Sequence, residues 1–331
     1  MIISWNTTNK CNMHCAHCYR ESGMAENDEL NTEEGKALID EIVKANFKIM
    51  IFSGGEPLSR PDIFELVEYA SKAGLRPVLG SNGTMITPEV AKKLKEIGTM
   101  GIGISLDSLN PKKHNEFRDY KNAWRDAVNG MKNCRDAGLG FQIHTTVMDW
   151  NKEEILDITD FAVGMGAVAH HIFFLVPTGR GAEIEKESLN ADEYEELLTA
   201  IMKKQQEVSI ELKPTCAPQF MRIAKEMGMN LRFSRGCLAG TSYCIVSPKG
   251  QVQPCAYLKM EIGNVRETPF SEIWFNIPVF KELRTLNYKG DCGLCSYKKA
   301  CGGCRARAAY YNDGDYMAEE PLCSYEVMKF S

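Results

Sequence analysis

Strand-forming and helix-forming runs alternate along the first 176 residues, and that alternation narrows the chain to parallel βα units. Short apolar or β-branched runs fall at 2–7, 48–52, 76–80, 101–106, 141–147 and 170–176, with amphipathic stretches between them at 32–45, 61–73, 88–97, 123–137 and 152–165. Thr32 with Glu34 close behind, and Thr87-Pro88-Glu89, carry the chemistry of helix starts, while Gly74 and Gly138 carry that of helix ends. Six such units predict an α/β fold built as a partial, TIM-like (β/α)6 barrel. A chain of 331 residues is longer than one core usually fills. A smaller second unit is therefore expected, with the barrel over 1–210, a bridging segment over 211–236 and a C-terminal extension over 237–331.

In barrels of this kind the C-terminal ends of the strands carry the active site, and here those ends are rich in glycine and polar residues. Ser53-Gly54-Gly55-Glu56-Pro57 follows the second strand, Ser81-Asn82-Gly83-Thr84 the third, and Ser105-Leu106-Asp107-Ser108 the fourth. Glycines allow a close backbone approach to a ligand, although the same residues also suit an ordinary strand-to-helix turn. On the fifth strand, alternation sends His144 and Thr146 to one face and Thr145 to the other, so one of the first two is expected to face substrate.

Thirteen cysteines is a high and odd number. Met1 leads into a strand with no basic segment or cleavage site, so metal thiolates are expected rather than a disulfide framework. Three of them, Cys11, Cys15 and Cys18, stand in a C-x3-C-x2-C pattern directly after the first strand. Three thiolates leave one iron of a four-iron cube open to a small molecule. A structural zinc would need four ligands, which His14 or His17 could complete, but the spacing is not among the common zinc patterns.

The segment CNMHCAHC, with His17 before the last cysteine, resembles the signature of the radical S-adenosylmethionine (SAM) enzymes, and Gly54-Gly55-Glu56 resembles their glycine-glycine-glutamate motif. The resemblance implies a [4Fe-4S] cluster on Cys11, Cys15 and Cys18 whose open iron chelates SAM, and reductive cleavage to a 5′-deoxyadenosyl radical. It also implies a cofactor-binding set of His17, Gly54, Gly55, Glu56, Asn82, Ser105 and Asp107. Ser105 and Asp107 would face the ribose or the methionine carboxylate.

The second half holds Cys237, Cys244, Cys255, Cys292, Cys295, Cys301, Cys304 and Cys323, the number that saturates two four-iron clusters. Gly250-QVQP-Cys255 and CGLCSYKKACGGC are similar to the auxiliary-cluster extension called SPASM, with one departure: two residues rather than three separate Cys301 from Cys304. The family's interleaved arrangement implies an inner auxiliary cluster on Cys237, Cys244, Cys255 and Cys304 and an outer one on Cys292, Cys295, Cys301 and Cys323. A zinc ribbon could be built from the same C-x2-C pairs. Cys134 lies in an amphipathic helix and reads as a buried thiol; Cys216, in KPTCAPQF, sits on a loop and is a candidate for the substrate site.

HHIFFLVPTGRG together with KPTCAPQF resembles the subgroup acting on tetrapyrroles in haem d1 and sirohaem-dependent haem biosynthesis, although Gln219 stands where that subgroup often has histidine. A macrocycle bearing several carboxylates wants a broad apolar pocket rimmed by cations, for which Phe173, Phe174, Arg180, Arg222 and Arg235 are candidates, with Cys216 and Arg180 as the catalytic pair. The expected reaction is oxidative decarboxylation of Fe-coproporphyrin III propionates to vinyl groups, or acetate removal from a didecarboxysirohaem-type intermediate. The alternative is a peptide or protein maturase, forming a cross-link or a formylglycine; its leader-binding winged-helix segment is not expected, since the triplet begins at residue 11. An electron-transfer scaffold would leave GGEP and ISLD without a purpose. A reductant such as flavodoxin or ferredoxin is implied. A net charge of −5 without a basic tract argues against nucleic acid, and no apolar run reaches the roughly 18 residues of a membrane span. The expected location is the cytoplasm.

Overall fold

The computed structural model describes residues 1–327. Its first part alternates β1 (Ile2–Asn6), α1 (Thr32–Lys44), β2 (Ile49–Ser53), α2 (Ile63–Lys72), β3 (Arg76–Ser81), α3 (Pro88–Glu96) and β4 (Gly101–Ser105). There follow α4 (Pro111–Arg118), α5 (Ala123–Asp136), β5 (Phe141–Val147), α6 (Ile155–Met165), β6 (Ala169–Phe174), α7 (Ala191–Gln205), β7 (Glu211–Thr215) and α8 (Phe220–Glu226). The C-terminal part adds β8 (Tyr243–Val246), β9 (Val252–Gln253) and four short helices, α9 (Phe270–Asn276), α10 (Pro278–Thr285), α11 (Gly290–Leu294) and α12 (Arg305–Tyr311).

All the strands join one sheet in the order β7-β6-β5-β4-β3-β2-β1-β8-β9. Pairing is parallel from β7 through to β8, and β9 alone runs antiparallel, beside β8. Side chains from eight strands line one central cavity, so the sheet curls around it, and the two unpaired edges make the barrel partial. The six expected βα units are present. Four elements of the first part go beyond them: α4, α7, α8 and β7, which pairs His171 with Lys213 and Ile172 with Pro214 along β6. Pro214 is tolerated because β7 is an edge strand. The apolar periodicity does not disclose α4 because its buried face is largely polar, His114 and Arg118 flanking Phe117. Its start is nevertheless marked by Asn110, which caps the amides of Lys112 and Lys113, with Pro111 in the first turn.

Helix starts follow local chemistry. Asn31, one residue before the expected start, forms a reciprocal box with Glu34, and Thr87 accepts from the Val90 amide ahead of α3. Gly74 and Gly138 follow α2 and α5 with φ of +89° and +66°, the left-handed termination that glycine adopts without cost. The period-two rule then divides each strand. Ile3, Trp5, Met50, Phe52, Ile102, Ile104, Ile143 and Ile172 pack outward under the helices as the core, while their neighbours Ser4, Ile51, Ser53, Ser105, His144, His171 and Phe173 face the cavity. Among the described residues, no helix is long and apolar enough to cross a membrane.

Candidate active site

The cavity, about 450 Å³, opens at the C-terminal ends of the strands and carries thiols at two ends. At the first end stand Cys11, Cys15 and Cys18, on the loop that leaves β1. Backbone bonds fold that loop on itself, the Cys11 amide donating to Gly23 O at 2.9 Å and the Gly23 amide to Asn9 O at 3.0 Å. The Gly54-Gly55-Glu56 turn after β2 runs beside it, the Gly55 amide donating to Thr8 O and the Glu56 amide to Lys10 O, each at 2.8 Å. A Cβ on Gly54 would stand 2.4 Å from Thr8 O, and one on Gly55 2.2 Å from Lys10 O. The glycines therefore admit this loop's own carbonyls, and both also line the cavity.

The remaining sequence candidates divide into two kinds. His17, Asn82 and Ser105 line the cavity. His17 stacks on Phe117 with ring centroids 4.4 Å apart, and burial, reinforced by Arg118, pushes its imidazolium down to about 3. Glu56 and Asp107 instead are fully buried behind the wall. The Glu56 carboxylate accepts from Ser81 Oγ at 2.9 Å, the Asn82 amide at 2.8 Å and the Leu58 amide at 3.2 Å, so its acceptor sites are occupied by the turns it positions. Asp107 accepts from Arg118 Nε at 2.6 Å and from the Thr146 amide at 2.9 Å. Burial alone would raise its carboxyl, but Arg118, with His17 and His114, holds it down at about 2. The group that reaches the cavity is Arg118, whose Nη1 lies 4.0 Å from Cys15 Sγ. Glu56 and Asp107, expected to contact the cofactor, thus lie behind the wall and brace groups that line the cavity.

Arg180 also departs from expectation. Its Nε donates to Cys15 O at 2.9 Å and its Nη1 to Ser22 O at 3.2 Å, so it clamps the cysteine loop and offers no paired fork to a substrate carboxylate. Only its Nη2 remains without a partner. Arg222 is taken by Glu195 and Glu226, and Arg235 by Cys237 O, Lys299 O and the Tyr288 hydroxyl; neither rims the cavity. Phe173 and Phe174 both line it, the Phe174 ring packing on Tyr194 with centroids 4.5 Å apart. Thr145 turns outward, donating to Leu106 O at 2.6 Å.

At the second end the cavity is lined by Cys216, Cys237, Cys255 and Cys304. Cys244 is not among them. It is fully buried in the outer core, because on β8 the cavity side belongs to Tyr243, whose hydroxyl donates to Ser4 Oγ at 3.0 Å, and the next residue must point the other way. Cys216 takes the place expected of Cys244: it leaves β7 with φ +59° and packs with Cys255 and Cys304. Gly302 and Gly303, at φ +81° and +57°, absorb the shortened gap before Cys304. They let Cys301 stay outside while Cys304 turns in.

Cys292, Cys295, Cys301 and Cys323 line a separate cavity of about 170 Å³, together with Gln219, whose Oε1 is buried without a partner. The amides of Glu320, Tyr297 and Gly303 donate to the sulfurs of Cys292, Cys295 and Cys301 at 3.3–3.5 Å, as suits thiolates. Between the two cavities Arg307 and Glu320 pair at 2.6 Å, each 1% exposed. Arg307 also donates to Cys216 O, and Glu320 accepts from the Cys304 amide. Cys134 is fully buried in α5, as expected. The thirteen cysteines thus resolve into sets of three, four and four, with Cys134 and Cys244 in the core. Each set fits a cluster by its chemistry. Among the described residues no three His, Cys, Asp or Glu side chains converge on a point as ligands of a single ion would, and burial keeps Cys11 and Cys255 protonated, pushed up to about 11 and 12. Loading must therefore release protons.

Comparison with known proteins agrees with this geometry. The family model described as the radical SAM superfamily matches residues 5–162, and that described as an iron-sulfur cluster-binding domain, SPASM, matches residues 237–305. The chain is 45% identical to the AdoMet-dependent heme synthase of Nitratidesulfovibrio vulgaris, over 100% of this chain and 94% of that one. It is 32% identical to the Fe-coproporphyrin III synthase of Methanosarcina barkeri, over 97% and 87%. Among solved structures, Streptococcus suis SuiB bound to S-adenosylmethionine superposes with a TM-score of 0.79 at 17% identity, over 98% of this chain and 77% of that one, a likeness of fold.

Proposed function

Because the chain belongs to the radical SAM enzymes with a SPASM iron–sulfur extension, in the branch that contains the AdoMet-dependent heme synthases, we propose that it converts propionate side chains of Fe-coproporphyrin III to the vinyl groups of haem b. The observation that carries this reading is one chamber lined by Cys11, Cys15 and Cys18, by Cys216, Cys237, Cys255 and Cys304, and by the rings of His144, His171 and Phe173. Loss of carbon dioxide from a propionate after removal of a β-hydrogen leaves one electron to be taken away, so the substrate needs redox groups on both sides. When bound, SAM on the first cluster supplies the hydrogen-abstracting 5′-deoxyadenosyl radical and the auxiliary clusters supply an electron sink.

The chain's own residues position and exclude. The Gly54-Gly55 turn and Arg180 hold the three-cysteine loop. Arg118, kept charged by Asp107, presents a cation at the first end. His144, His171 and Phe173 form an aromatic wall: the imidazoles stack at 5.2 Å and 8°, and Phe173 lies 5.2 Å from His144, tilted by 55°. Burial holds His144 down to about 4 and His171 well below its ordinary value, so the stacked pair is an uncharged surface against which a macrocycle can lie. Tyr19 and Tyr257, 5.2 Å apart, join the two ends. A flavodoxin or ferredoxin of the cytoplasm would supply the electrons.

The test is anaerobic incubation of the cluster-loaded protein with SAM, reductant and either Fe-coproporphyrin III or didecarboxysirohaem, read by mass. Successive losses of a carboxylate with one hydrogen from the first substrate are expected. Acetate loss from the second alone would shift the reading to the earlier step, and no change in either would overturn it.

A further inference from the structure

Three cations line the main cavity: Arg118, Arg180 and Lys213. The first pairs with Asp107, and the second gives Nε and Nη1 to two backbone carbonyls, leaving only Nη2 without a partner. Lys213 differs from both. Its Nζ lies 3.5 Å from the centre of the Phe233 ring, and among the described residues no carboxylate stands within ion-pair distance of it. Burial pushes its ammonium down to about 8, so at neutral pH it is a charge held in a partly dehydrated wall with three donors unused. Such a group is a standing cost that an aromatic face offsets only in part.

Its place in the sheet gives that cost a purpose. Cross-strand register aligns Ser105 with His144, His144 with His171, and His171 with Lys213. One polar row therefore crosses four strands on the cavity side, with the stacked imidazoles in the middle and the ammonium at its end. Ser81 and Asn82, beside the three-cysteine loop, lie four strands away along the same sheet.

We propose that Lys213 anchors one carboxylate of the substrate, fixing how the macrocycle lies on the His144–His171 shelf; this rests on the tetrapyrrole reading above. A bound carboxylate would meet donors that the described residues leave unused, and the macrocycle would cover the uncharged imidazole shelf beside it. The anchor expected at Arg180, in the loop after β6, thus moves to β7, the edge strand beside it.

Binding of Fe-coproporphyrin III and of its tetramethyl ester to the anaerobic, cluster-loaded protein with SAM, followed by the Soret band, tests the assignment. Lys213→Met should weaken binding of the free acid about tenfold or more, shift that of the ester less than about twofold, and be largely rescued by Lys213→Arg. If the variant binds the acid as tightly as the wild type, or loses acid and ester equally, the anchor is overturned while the substrate reading stands. A wild type that takes up neither form overturns both.

Discussion

At the scale of single residues, strand parity decides which thiols can hold metal. Cys244 stands one position after Tyr243 on β8 and is therefore directed into the core, while Cys216 leaves β7 in a left-handed conformation toward Cys237, Cys255 and Cys304. Iron content separates the two. Fully loaded protein should hold about twelve irons; Cys216→Ala should lose about four of them or destabilise one cluster's spectrum, and Cys244→Ala should keep all twelve, at a cost of about 1 kcal/mol for the small cavity left behind. Equal iron loss in both would show that the core side chain had been misplaced. The spacing disclosed eleven ligands by number, because thiolates near glycine and in C-x2-C pairs are visible in one dimension. It could not disclose membership, which depends on which face of a strand a residue occupies. Lys213 and His171 escaped for the same reason: their meaning comes from cross-strand register.

At the scale of elements, six strands and the helices between them were legible because apolar periodicity and caps agree locally. Among the short elements α4 was not, for its polar buried face, and β7 only in its first residues, where a β-like run over 208–212 meets it before Pro214. The site's most constrained element is the Gly54-Gly55 turn. A methyl group on Gly55 would meet Lys10 O at 2.2 Å, and a backbone carbonyl cannot swing aside as a flexible side chain can. Gly55→Ala should therefore displace the three-cysteine loop, reducing iron by about four per chain and abolishing 5′-deoxyadenosine formation while the auxiliary clusters remain. Retention of SAM cleavage would mean that the turn yields instead of the loop.

At the scale of the whole molecule, the two auxiliary sites share the buried Arg307–Glu320 pair, which also braces Cys216 O and the Cys304 amide. Removing one partner strands the other charge in the interior, so Arg307→Met should cost about 3–5 kcal/mol, and adding Glu320→Leu should restore part of that. Denaturant unfolding of the anaerobic, loaded protein measures both; simple additivity would show that the pair is not coupled. The sheet itself has a consequence for how the protein is made. β1 pairs on one side with β2, but its other edge is closed only by β8, with Tyr243 bonded to Ser4 across 239 positions of chain. During synthesis the earliest strand waits, half-paired, until three quarters of the polypeptide has followed it. An open parallel edge of that kind invites pairing with another nascent chain, so premature termination within residues 211–236 would leave an adhesive fragment, and the late arrival of the cysteine-rich part both caps the sheet and completes the chamber.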